Sequence, residues 1–319
     1  MPENKDEPLF ISVILLSRKM PDLLARALRS VLAQTRDGLE AIVVIEDSDR
    51  QTLQMLQSVK SGKVRIKSIP GPLTPGSSRN IGIQEARGEW IAFLDDQDEW
   101  YPEKLETQIQ AAQQALNGHS IFSCRLAGRL SGKEFVWPRR IPGPSEPLSE
   151  YLFCQKSPFW GSGVIKLSTL LVKKELCQEI PFNETLQRHE DLDWLLRATS
   201  RNGTKIEFVS SEAPLVKWHL DESICQRVPS DWQYTFSWIQ ENRALMTPRA
   251  YASFLLTNVT RSAVQKKDWK AFWPILKEAC QKGKPRLMDT VTYAALWVIP
   301  EKIKRSISHF FTAKKSKGK

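Results

Sequence analysis

A chain of 319 residues that is 41% hydrophobic and 26% charged is long enough for two domains and apolar enough to fill a core, which excludes a disordered or low-complexity protein. Five cysteines, Cys124, Cys154, Cys177, Cys225 and Cys280, form no C-x-x-C pair, so neither a disulfide framework nor a zinc site is indicated. Much of the net charge of +10 falls at the end, where Lys302, Lys304, Arg305, Lys314, Lys315, Lys317 and Lys319 are opposed only by Glu301. The polar, acidic start MPENKDEP lacks the pattern of a signal peptide, and no apolar run approaches the roughly 18 residues of a membrane span, so a cytoplasmic location is expected.

Phe10–Leu16 (FISVILL) is an apolar run of strand length. Leu24, Leu28, Val31 and Leu32 then share one face of a helix that opens at Pro21 and Asp22. Ala41–Ile45 (AIVVI) reads as a strand closed by Glu46 and Asp47, Gln51–Val59 as a helix, and Val64–Ile69 as an alternating strand. The Gly- and Pro-rich loop PGPLTPGSS leads into a helix expected over Arg79–Ala86, and then into Trp90–Leu94. Strand and helix thus alternate, which predicts an α/β fold with a parallel sheet built from βαβ units.

A helix is expected from Pro102 to about Leu116, strands near Ile121–Leu126 and Glu134–Trp137, and a loop broken by Pro138, Pro142, Pro144 and Pro147. Gly161–Val172 reads as extended. His189–Arg197 is expected to be helical with Leu192, Leu195 and Leu196 buried, and Ile206–Val209 and Leu215–Trp218 as short strands. From Ser230 onward Trp, Leu and Ala recur at helical spacing, which places a domain boundary near residue 228, with domains over 1–228 and 229–319. In the second, Trp269, Phe272, Trp273 and Leu276 share a helical face expected to be a packed cap. Val291–Ile299 is apolar but too short to span a bilayer. The interleaving of Lys302, Lys304, Ile303, Ile307, Phe310 and Phe311 describes a helix lying on an anionic membrane surface. No nucleic-acid-binding motif accompanies the lysines, so no nucleic acid partner is expected.

The chemistry concentrates in GEWIAFLDDQDEWYP (residues 88–102), where a buried strand ends in Asp95, Asp96, Gln97 and Asp98. Crowded carboxylates raise one another's pKa unless a cation or water lies between them. Mg²⁺ takes a few carboxylates together with substrate phosphate oxygens, so this strand end is a candidate metal–diphosphate site, with a solvated acidic turn as the alternative. Glu46 and Asp47 end a neighbouring strand and suit a nucleobase or ribose. Arg79 and Asn80, read as opening a helix, suit phosphate. Glu190, Asp191 and Asp193 crowd one helical turn beside His189 and offer a general base or an exposed acidic face. His219 is either a metal ligand or a satisfied loop histidine.

In their order and spacing, ISVILL, RALRSVLAQT, VVIED, GSSRNIGIQEARGEWIAFLDDQDEW with P-E-K-L following, STLLVKK, PFNETL and HEDLDWLLR resemble family 2 glycosyltransferases of the GT-A fold over about residues 9–225. The resemblance implies a Rossmann-like, mostly parallel central sheet flanked by helices and followed by a helical C-terminal region. It implies transfer of a sugar, with inversion, from a nucleoside-diphosphate sugar donor to a hydroxyl of a glycan or lipid-linked acceptor in cell-surface polysaccharide synthesis, with Mg²⁺ or Mn²⁺ as cofactor. By position it implies Asp191 as catalytic base with Glu190 beside it, and donor binding by Glu46, Asp47, Arg79, Asn80, Asp95 and Asp96. It further implies a metal held by Asp96, Asp98 and His219, with Trp218 beside His219. Two places depart from the family pattern. Leu16-Ser17-Arg18-Lys19 stands where Pro, Thr, Tyr and Asn are common, and Gln97 where Asp is common. A non-catalytic homologue that binds a nucleotide sugar or glycan is the alternative these departures raise.

Overall fold

The computed structural model describes residues 9–115, 121–130, 133–155, 163–219 and 231–299. The chain divides into two compact units, residues 1–141 with 165–224, and residues 142–164 with 225–319.

The first unit opens with β1 (Ile11–Leu16), α1 (Pro21–Leu32), β2 (Leu39–Glu46), α2 (Arg50–Gln57), β3 (Val64–Ile69), α3 (Pro75–Glu85) and β4 (Trp90–Leu94). The runs of β1, β2 and β4 are buried almost without interruption, as parallel strands covered on both faces must be. β3 alternates because it is the edge strand. β3, β2, β1 and β4 pair in that order, all parallel, so the carboxyl ends of β1, β2 and β4 fall on one edge.

The chain continues through β5 (Asp98–Trp100), α4 (Lys104–Gln114), β6 (Ile121–Ser123), β7 (Leu126–Leu130) and β8 (Lys133–Trp137). After the excursion through residues 142–164 come β9 (Leu171–Lys173), α6 (Lys174–Glu179), α7 (Glu190–Ser200), β10 (Ile206–Phe208) and β11 (Val216–Trp218), with α5 (Leu148–Phe153) in the excursion itself. β9 runs antiparallel between β4 and β6, which completes a seven-stranded, mostly parallel sheet in the order β10-β6-β9-β4-β1-β2-β3. A separate four-stranded sheet pairs in the order β5-β11-β7-β8.

Several expectations are corrected. The single strand expected at Ile121–Leu126 is two strands in two different sheets. α3 begins four residues before Arg79. Thr74 Oγ1 accepts from the Ser77 N–H at 3.1 Å and Ser77 Oγ accepts from the Thr74 N–H at 3.0 Å, a capping box with Pro75 in the first turn. Arg79 and Asn80 are therefore second-turn residues, not helix-opening ones. Leu192 is only half-buried, while Asp193 is buried and paired to Arg197 at 2.7 Å.

In the second unit α5 is joined by α8 (Trp232–Glu241), α9 (Pro248–Phe254), a π-helical stretch at Leu255–Val259, α10 (Thr260–Gln265), α11 (Phe272–Lys282) and α12 (Leu287–Val298). Residues 142–164 join this unit rather than the sheet domain. Ser253 Oγ donates to the Phe153 carbonyl at 2.8 Å, Thr247 Oγ1 to Glu150 at 3.0 Å, and the Phe153 and Phe254 rings meet edge-on at 4.8 Å. The packed-cap reading of the helical face also changes. Ala271, Ile275 and Ala279 are buried, but Trp269 and Trp273 are exposed. Cys225 and the residues beyond Ile299, including the lysine-rich end, lie outside the described residues.

Candidate active site

The end of β4 sets the geometry. Leu94 is the last strand residue, and the turn Asp95–Gln97 reverses the chain into β5, with the Asp98 N–H donating to the Asp95 carbonyl at 3.0 Å. The three acids therefore take different environments. Asp95 remains partly open and meets Arg79 Nη2 at 3.3 Å and Arg18 Nη2 at 3.8 Å. Burial opposes its charge, but Arg18, Arg79 and Lys166 hold its carboxyl below the usual range.

Asp98 does not belong to a solvated acidic turn, the alternative the sequence left open. It is fully buried, with Lys166 Nζ at 2.7 Å and 3.0 Å from its two oxygens and Ser168 Oγ donating at 2.5 Å. Ser168 Oγ also accepts from the Asp95 N–H at 3.2 Å. Asp98 thus fastens the turn to the 3-10 segment Leu167–Thr169, and its oxygens are already engaged.

Asp96 is the opposite case. It is fully buried, yet neither carboxylate oxygen accepts a well-formed hydrogen bond. Burial, against a partial offset from Arg18, pushes its carboxyl up to about 6. An orphaned buried carboxylate is costly and calls for a cation.

The second half of the site comes from α7. Arg79, 2% exposed, reaches from α3 to Glu190 Oε1 at 2.7 Å while holding Asp95, and its guanidinium lies 5.4 Å from the Phe182 ring centre. One arginine therefore clamps the strand-end acids to the start of α7, although Asp95 and Glu190 are far apart in sequence. Beside Glu190, the half-buried Asp191 has a carboxyl pushed up to about 6 by burial and by the Glu190 charge. The Leu192 N–H donates to its Oδ1 at 2.8 Å. Asn80 serves the scaffold. Its amide donates to the Phe182 carbonyl and to Glu184 at 2.9 Å and 2.8 Å, and its Oδ1 accepts from the Phe182 N–H at 2.9 Å.

At the end of β2, Glu46 accepts from the Leu73 N–H at 3.0 Å and from Lys19 Nζ at 2.9 Å, which lowers its pKa. Exposed Asp47 accepts from Ser68 Oγ. His219 stands apart from the acids. Asp98 and Trp218 are opposite one another in the β5–β11 pair, and alternation puts His219 on the other face with Glu99. Its Nε2 lies 2.6 Å from Glu99 Oε1, which also meets Arg26 Nε at 3.2 Å.

Sequence reasoning met Arg18 and Lys19 only as departures from the family pattern, not as site residues, and did not assign a role to Lys166 or Ser168. For Arg18 and Lys19 the signal was two cations directly after a buried strand. For Lys166 and Ser168 no local signal exists. A divalent cation fits this donor set at Asp96, the carboxylate with free oxygens, since Mg²⁺ needs only one or two carboxylates once phosphates are present. Among the described residues no group of three or more His, Cys, Asp or Glu side chains is arranged to hold a metal by itself.

Comparison with known proteins establishes the family and the fold. The family described as Glycosyl transferase family 2 matches residues 12–180. The amylovoran biosynthesis glycosyltransferase AmsB of Erwinia amylovora is 27% identical over 222 residues, covering 65% of this chain and 69% of that protein. The GalNAc(5)-diNAcBac-PP-undecaprenol beta-1,3-glucosyltransferase of Campylobacter jejuni is 28% identical over 58% of each chain. The crystal structure of S. aureus TarS 1-349 in complex with UDP-GlcNAc superposes with a TM-score of 0.61 at 16% identity, covering 91% of this chain and 90% of that one, a likeness of fold. With the family matched over more than half of its length and the mostly parallel sheet shared with a solved structure, this chain belongs to glycosyl transferase family 2 and is a glycosyltransferase with a GT-A-type fold.

Proposed function

We propose that the protein transfers a sugar, with inversion, from a nucleoside-diphosphate sugar to a hydroxyl of a glycan or lipid-linked acceptor, in cell-surface polysaccharide synthesis at the inner face of the cytoplasmic membrane. The observation that carries this reading is the Arg79 clamp, which joins the acids at the β4 end to the acids that open α7. A donor diphosphate at the first and an acceptor hydroxyl at the second would then meet across one anomeric carbon, the arrangement a single inverting displacement needs.

In this reading Glu46 and Asp47 face the nucleoside, and Asp95 its ribose. Arg18 and Arg79 offset the negative charge at the β4 end, and Asp96 is the carboxylate that would hold Mg²⁺ or Mn²⁺. When bound, that ion would neutralise charge on the departing diphosphate. Asp191 accepts the proton of the attacking hydroxyl, and its elevated pKa suits a base working near neutral pH. Asp98 and Lys166 position the turn and His219 braces Glu99, so neither Asp98 nor His219 is proposed as a metal ligand. Names of relatives support the substrate class: a polysaccharide in one case and a lipid diphosphate-linked glycan in another.

Incubation with a panel of nucleotide sugars, a divalent cation and lipid-linked or glycan acceptors tests the proposal through release of nucleoside diphosphate. Donor-specific release that is lost in Asp191→Asn is the expected result. Tight nucleotide binding with no turnover on any acceptor would favour the non-catalytic alternative.

A further inference from the structure

The helical unit carries an exposed apolar surface. Of the ten large apolar side chains exposed among the described residues, six lie between residues 269 and 298: Trp269, Trp273, Leu287, Met288, Val291 and Val298. On α12, Leu287, Val291, Ala294 and Val298 recur at i, i+4, i+7 and i+11 and are all exposed, whereas Asp289, Tyr293 and Trp297 on the other side are buried. The helix therefore has an apolar stripe turned to solvent as well as a packed one. The exposed Trp269 flanks it, with its ring 4.8 Å from that of Trp297. Trp273 extends the same aromatic group through Phe272, at 5.1 Å, which itself meets Trp297 at 5.6 Å.

The charge distribution bears on what could cover this face. Residues 261–319 hold 15 of the 46 Lys and Arg residues and only 4 of the 36 Asp and Glu residues. The preceding 260 residues are close to neutral, with 31 basic against 32 acidic. All of the net positive charge thus belongs, in the sequence, to the last 59 residues, the stretch that includes the apolar stripe. Nucleic acid would satisfy the lysines and leave the stripe in water. An anionic lipid surface satisfies both, since headgroups attract the lysines while the acyl boundary accepts aliphatic side chains and interfacial tryptophans. No helix among the described residues is long and apolar enough to cross a membrane, so such contact is peripheral.

We infer that the exposed face of α12, flanked by Trp269 and Trp273, is a membrane-docking surface that seats the protein on anionic lipid. This deepens the proposed function by naming the surface at which a lipid-linked acceptor is met, and it rests on that reading only for the acceptor.

The test is flotation of the full-length protein with vesicles of phosphatidylcholine alone, or of phosphatidylcholine with phosphatidylglycerol, at low and high salt. The parent protein should favour the anionic vesicles by about tenfold or more at low salt. A Val291→Glu/Val298→Glu variant, and separately Trp273→Glu, should each lower anionic-vesicle binding by about tenfold, because a carboxylate is driven into an apolar, negatively charged layer. All three positions are exposed, so the circular-dichroism melt should stay unchanged. Variants that float like the parent would overturn the inference by leaving tail electrostatics as the sole cause, and so would absence of a preference for anionic vesicles. Nucleotide binding, measured in parallel by thermal shift, reports on the sheet domain alone. Its loss would count against the proposed transfer site, and a failure to float would count against the docking surface.

Discussion

Asp191 and Asp98 lie in one acidic cluster, and burial acts on them to different ends. Asp191 has its carboxyl raised to about 6 by burial and by Glu190, so it is ionised, and able to accept a proton, only above that pH. The transfer rate at saturating donor should therefore rise with pH through about 6 and level off. Asp191→Asn should lower the rate by about 10²–10⁴ while nucleoside diphosphate affinity, read by calorimetry, barely changes. An equal loss of affinity would place Asp191 in the donor pocket instead. Asp98 has no free oxygen to offer, being held by Lys166 and Ser168. Asp98→Ala strands a lysine and a hydroxyl, and hydrogen bonds to charged groups contribute about 1.5–3 kcal/mol. A loss of that size in chemical denaturation is expected, with Asp98→Asn intermediate because the Ser168 bond survives. An unchanged midpoint for Asp98→Ala would make the Lys166 pair energetically idle.

At the scale of elements, the site depends on how α3 meets the segment before α7. A Cβ built at Gly76, in the first turn of α3, would lie 2.4 Å from the Asn183 carbonyl oxygen and 3.3 Å from the Glu184 Cα. These are backbone atoms, tied down nearby by the Asn80 bonds to Phe182. Gly76→Ala must therefore push the segment away and carry Glu190 from Arg79. Overpacking of this kind costs about 1–3 kcal/mol, and reduced nucleotide-dependent stabilisation should accompany it. At Gly62 nothing lies within 4 Å of a new Cβ, so Gly62→Ala should leave both measurements unchanged. Equal behaviour of the two variants in urea melts would show that the α3 contact is dispensable.

The stability of the whole molecule carries the signature of Asp96. Burial pushes its carboxyl in the fold from the ordinary 3.8 up to about 6. The folded state therefore binds the proton more tightly, and this group's contribution to stability falls as pH rises from about 4 to about 6. Above that range the fold holds an unpartnered charge, which a divalent cation together with nucleoside diphosphate would relieve. The joint thermal shift given by Mg²⁺ and nucleoside diphosphate should thus be larger at pH 7.5 than at pH 5. At 100 times the dissociation constant such a ligand adds about 2.7 kcal/mol. In Asp96→Asn the shift should lose its dependence on Mg²⁺. A shift in that variant that still needs the cation would move the ion away from Asp96.

The amino-acid order determined the parallel sheet and the edge on which chemistry gathers. Continuous apolar runs such as ISVILL and WIAFL can be satisfied only between two layers of helix, and acids placed directly after them must emerge at the strand ends. The true start of α3 was also legible in Thr74-Pro75, a local cap overshadowed by the Gly-rich loop around it. What each acid does was decided by the tertiary structure. Asp95, Asp96 and Asp98 are near-equivalent as letters. Their environments diverge because the turn sends the three side chains in different directions: towards Arg79, towards a buried place where Arg18 is only a partial offset and no well-formed hydrogen bond is made, and towards Lys166 68 residues away. The His219–Glu99 pair spans 120 residues and was equally invisible. Whether a carboxylate is engaged or free depends on cations brought from distant segments, and no local spacing encodes that.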